Sequence, residues 1–87
     1  MQIDLRKIRD VLHVHLSPEL VNEIELPEEL LDPVSEEEVN ERFFFLYHAL
    51  IGKVTLAVAE VMGRSLTSTE IGFMSEVIQA FLKDQGF

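Results

Sequence analysis

Apolar residues recur at helical spacing through most of this chain, and the longest such stretch runs from Ser35 to Arg64. Ser35 and Glu38 form an S-x-x-E capping box, and Glu36, Glu37 and Glu38 suit the positive end of a helix dipole. Gly63 is placed to end the helix, because glycine tolerates the left-handed conformation of a C-terminal cap. The pattern therefore predicts one helix over about 36–63. At about 1.5 Å per residue it would be roughly 40 Å long.

The same kind of pattern predicts three further helices. Over 4–16, Leu5, Ile8, Val11, Leu12 and Leu16 share one helical arc, with Asp4 as the N-cap. A strand over Val11–Leu16 competes with this reading, since Leu12, Val14 and Leu16 also alternate with His13 and His15. The helix is preferred because its arc spans the whole segment and no second strand is visible for pairing. Ser17-Pro18 marks a restart and a short helix over about 18–24. Pro27 and Pro33 then interrupt regular structure, leaving at most one helical turn within an acidic connector at about 25–35. Thr67 and Glu70 form a second capping box and open an amphipathic helix over about 68–84, with Gly86 as its stop. Its apolar arc holds Ile71, Met74, Val77, Ile78, Phe81 and Leu82, with Glu76, Gln79 and Lys83 opposite. Only Ser65 and Leu66 separate the long helix from this cap, so the two should fold back as a hairpin. The expected fold class is all-α: a single domain over 1–87, built as a small bundle on the long helix.

Two apolar stripes lie side by side on that helix. Val39, Phe43, Leu46, Leu50, Val54, Ala57 and Val61 form the first, and Phe44, Tyr47, Ile51, Val58 and Met62 the second. Together they cover roughly 160°, wider than the ~100° arc with which a surface helix meets a core. The first stripe is expected to take the chain's other helices and the second to bind another copy or a foreign protein; the alternative is that the three short helices wrap both stripes within one chain. Arg42, Lys53 and Glu60 mark the expected solvent side. The small residues Ala49, Gly52 and Ala59 lie close to that side, where a second helix could approach.

Charge sharpens the choice of partner. The 87 residues carry 16 acidic and 7 basic side chains, a formal net charge of −9. Such a chain repels phosphate backbones and anionic lipid, so nucleic acid is not an expected direct partner. Every charged residue from Glu19 to Glu41 is acidic, and Glu28, Glu29, Asp32, Glu36, Glu37 and Glu38 are the candidate acidic surface. Phe43 to Met62 is long enough for a membrane span, but Lys53 near its centre, together with His48 and Glu60, argues for a buried helix instead. With no targeting pattern at the start of the sequence, a cytoplasmic protein without a membrane partner is expected. The absence of cysteine excludes disulfides and thiolate metal sites, which leaves helix packing or a partner subunit to stabilise so small a chain.

Candidate chemistry is sparse. His13 and His15 share a face only on a strand; on the preferred helix His15 joins the apolar arc and His13 points away. His48 lacks a partner at ligand spacing, so no metal is expected. No G-x-S-x-G elbow or glycine-rich phosphate loop is present, and the carboxylates lie on open surface where nothing raises their pKa. Neither catalysis nor a cofactor is expected. One short segment, Gly63-Arg64-Ser65-Leu66-Thr67-Ser68-Thr69-Glu70-Ile71, resembles the modified-serine region of acyl carrier proteins. The resemblance implies phosphopantetheine attachment at Ser65. It departs from the family in having Arg64 where an aspartate stands, a long helix before the segment, and a short chain after it.

The expected function is a non-catalytic helical protein–protein interaction module, a homodimer formed through the second stripe. The alternatives are an acidic inhibitor or antitoxin-like protein that masks a basic surface on a nuclease or DNA-binding partner, and, more remotely, a carrier modified at Ser65.

Overall fold

The computed structural model describes residues 5–87. It contains α1 (Leu5–His15), α2 (Pro18–Asn22), a 3-10 turn (Glu28–Leu30), α3 (Glu36–Met62) and α4 (Ser68–Asp84). There is no strand among the described residues. The expected all-α bundle on one long helix is the observed architecture, drawn out along α3 to 46 × 20 × 19 Å. The Asp4 cap lies outside the described residues.

Local chemistry accounts for the element ends. Ser17 accepts a hydrogen bond from the Leu20 backbone at 3.2 Å, and Pro18 follows it at the first helical position, where a missing N–H is harmless. α2 stops at Asn22, short of the expected Ile24. The Ile24 N–H still reaches the Val21 carbonyl at 3.1 Å, so the last turn loosens gradually before Pro27 ends it. Ser35 Oγ accepts from the Glu38 backbone at 3.1 Å and donates to the Glu38 carboxylate at 3.2 Å. At the far end of α3, Gly63 takes a φ of 71°, a left-handed conformation that glycine adopts without steric cost.

The core lies where three helices meet. Ile8 and Leu12 of α1, Val21 of α2, Leu46, Leu50, Val54 and Val58 of α3, and Met74, Ile78 and Leu82 of α4 are all buried together. α1 and α4 pack on α3 and on each other, and the 3-10 turn lies against α3 with Leu30 buried beneath it. The α3 core row advances by four residues at each step. At about 100° per residue it therefore turns about 40° per step, the path of an i, i+4 ridge seated in a neighbouring groove. Phe87 closes one end, its backbone N–H on the Leu82 carbonyl at 3.1 Å and its ring 5.0 Å from the Arg42 guanidinium carbon.

Candidate functional site

The oblique core row changes what the second stripe of α3 can do. Val58 belongs to the protomer's own core and has no exposure, so it is unavailable to a partner of the folded chain. Tyr47, Ile51 and Met62 are half-buried against that core. α4 lies along this side: the hydroxyls of Tyr47 and Ser75 are hydrogen-bonded. Phe44 remains substantially exposed, at the rim of a cleft that Gln79 and Lys83 line from α4. The expected free stripe is therefore largely the seat of α4, because the wide apolar arc serves two neighbouring helices of the same chain.

The uncovered apolar residues lie elsewhere. On α3, Leu56 is 71% exposed, Phe44 56%, Val61 49%, and Phe45 and Val39 37% each, while Val14, Leu31, Val34 and Ile71 are exposed on other parts of the chain. Phe45 and Leu56 occupy the side opposite the core row, the side assigned to solvent on the strength of Arg42, Lys53 and Glu60. Gly52 lies between them, exposed, and Ala49 and Ala59 are half-buried nearby. A Cβ added to Gly52 would meet no atom within 4 Å. The protomer thus has no packing need for glycine at a helix-interior position that costs about 1 kcal/mol relative to alanine. By length and composition alone α3 could cross a membrane: its most apolar window has a mean hydropathy of 1.5, with 22% of that window buried.

The α3–α4 joint holds the most organised polar cluster among the described residues. Arg64 donates from Nη1 and Nη2 to the two oxygens of Glu70 at 2.8 and 2.7 Å, a bidentate pair. The Thr67 backbone donates to Glu70 Oε1 at 2.8 Å, and Thr67 Oγ1 accepts from the Glu70 backbone at 3.2 Å, completing the capping box. The Glu70 carboxylate is wholly shielded from solvent, whereas the Arg64 side chain keeps 26% exposure. The Arg64 hydrogen bonds, and after them the Thr67 backbone donor, hold the Glu70 carboxyl at about 2, well below the usual carboxylate range. This cluster fixes the angle of the hairpin. All its polar groups face one another, which leaves none aimed at a ligand. The capping box is legible in sequence, whereas the arginine partner, six residues before Glu70 and beyond a helix end, carries no periodic signal.

The remaining candidates are dispersed. His13 and His15 lie on α1 with both side chains exposed. His13, not His15, turns toward a neighbour: it lines a groove of about 350 Å³ between α1 and α4 with Arg9, Leu16, Val77, Phe81 and Asp84. His48 is on α3 with its ring edge-on to Tyr47. No group of three His, Cys, Asp or Glu is placed to hold a metal among the described residues. Glu28, Glu29, Asp32, Glu36 and Glu37 are exposed and Glu38 half-exposed, spread over the 3-10 turn and the start of α3. Ser65 is exposed in the α3–α4 joint.

The molecule is an all-α bundle organised on one long helix whose outer face is uncovered. Compared with known proteins, the chain matches no family model, no curated protein and no solved structure.

Proposed function

We propose that this protein is a non-catalytic helical interaction module that self-associates through α3. The observation that carries the reading is the exposure of Phe45 and Leu56 on the side of α3 opposite the row that forms the core. Large apolar side chains concentrated on one element mark an association surface more often than scattered ones do. Acidic residues dominate the connector and the first turn of α3 and thin out along the rest of that helix, so apolar contact there meets little repulsion. The protein acts in the cytoplasm in this reading, and its apolar helix is covered by protein instead of lipid.

Sedimentation equilibrium from micromolar to hundreds of micromolar is the direct test. A mass rising with concentration toward twice 10.0 kDa is expected. A fixed mass of one chain throughout that range would end the reading.

The exposed carboxylates of Glu28, Glu29, Asp32, Glu36 and Glu37 favour a second reading, an acidic cover for a basic partner surface. The two differ in salt dependence. Association through α3 should hold or strengthen as salt rises, whereas capture of a basic protein should weaken steeply and should be lost on charge reversal at Glu36, Glu37 and Glu38.

A further inference from the structure

The uncovered face of α3 is complementary to itself in one orientation. Phe45, Ala49, Gly52, Leu56 and Ala59 follow one another at spacings of four, three, four and three, the repeat that keeps one seam of a helix against a partner helix. Phe45, Gly52, Leu56 and Ala59 fall within about 40° of a line opposite the buried row Leu46, Leu50, Val54 and Val58, and Ala49 lies about 60° from it. The seam is large at its ends and small at its centre. Gly52 has no atom of its own chain within 4 Å of where a Cβ would stand.

We propose that a second copy of this chain docks on this seam with its α3 antiparallel. This rests on the self-association reading above and adds the face and the orientation. In the arrangement that aligns the small residues, Ala49 of each copy meets Gly52 of the other, so the backbones approach closely at the centre. Phe45 of each copy then packs on Leu56 of the other, and Arg42, whose guanidinium lies over Phe87 in the protomer, stands on the same flank as the other copy's Glu60. Charge selects the orientation. Side by side in parallel, the acidic starts of α3 from Glu36 to Glu41 would lie together. Reversal carries the two acidic starts to opposite ends. A single helix face is smaller than a standard protein interface, so the dimer forms reversibly in roughly the micromolar range.

Two sets of variants test the arrangement. Gly52→Gln introduces a helix-compatible side chain that has open space in the protomer and blocks the centre of the seam. It is expected to raise the dimer dissociation constant by at least about tenfold with an unchanged helical circular dichroism spectrum. The chain has no cysteine, so introduced thiols report cleanly. The double variant Phe45→Cys with Leu56→Cys should oxidise to a covalent dimer. Leu56→Cys alone should not, because its two copies would sit about eleven residues, roughly 16 Å, apart along the seam. A dimer indifferent to Gly52→Gln, or cross-linked by Leu56→Cys alone, would overturn the antiparallel seam while leaving self-association standing. A chain that stays monomeric at every concentration, or that instead floats with anionic or zwitterionic vesicles, would overturn both.

Discussion

The inner and outer faces of α3 are built from similar apolar residues in opposite surroundings. On the inner face Leu46, Leu50, Val54 and Val58 have almost no exposure, held by α1 and α4. On the outer face Leu56 keeps most of its surface in solvent and Phe45 more than a third. The contrast separates what the fold requires from what it leaves over. Burial of a leucine contributes about 2 kcal/mol through apolar area alone, so the inner row is where the stability of a small chain resides. The outer residues contribute little to the protomer, which is why a second role is assigned to them.

The largest effect should come from the inner face. Leu50→Ala removes a wholly buried side chain at the centre of the core and is expected to lower stability by about 2–5 kcal/mol. For a chain of this size that is a large fraction of the total. Urea titration followed by circular dichroism would read it as a lower midpoint at nearly constant slope.

The next effect belongs to the joint that holds α4 on that face. Replacing Glu70 with glutamine removes the charge that Arg64 and the Thr67 backbone surround, leaving a bidentate cation with a neutral partner. The Glu70 carboxyl titrates at about 2 in the folded chain against an ordinary 4.5, so its contribution is full above about pH 4.5 and is lost as pH falls toward 2. Glu70→Gln should therefore be less stable than the parent at pH 7, with the difference narrowing below pH 4.5. Thermal melts across that range check the sign: a difference that widens on acidification would contradict the assignment.

The element ends were readable from residues that act locally. Ser35, Gly63, Thr67 and Glu70 each cap a helix through atoms within four positions, so sequence spacing alone places them. The helix over 5–15 also prevailed over the competing strand, since the arc of Ile8 and Leu12 meets α3 and α4. What sequence could not supply was the crossing path of a neighbour. A wheel ranks residues by direction about a straight axis, whereas the core row turns along the helix and passes from Leu46 in one stripe to Val58 in the other. The same limit applies on α4, where Ile71 falls on the apolar arc yet stays 40% exposed. The outer face of α3 does meet solvent, as Lys53 and Glu60 implied; what those charges did not signal is that two large apolar side chains, Phe45 and Leu56, are exposed on it.

A smaller effect of opposite sign is expected at Gly52. Alanine there finds no atom within 4 Å and is the better helix former, so Gly52→Ala should stabilise the protomer by about 1 kcal/mol. Dilute samples, where association is negligible, are the condition for this comparison. A destabilised variant would mean that the helix backbone is bent or crowded at that point.

The smallest effect completes the comparison. Leu56 has the same side chain as Leu50 and sits on the same helix, but most of its surface already meets water. Leu56→Gln keeps a good helix former in place and should shift protomer stability by no more than about 0.5 kcal/mol in dilute solution. Its consequence should emerge only as concentration rises. The parent melt should then climb with protein concentration, because a ligand that binds only the folded state stabilises it by mass action, and here that ligand is a second copy. The Leu56→Gln melt should stay flat. Equal concentration dependence in both proteins would place the association surface away from the outer face of α3, whereas a large loss in dilute solution would show that Leu56 is part of the protomer's packing after all.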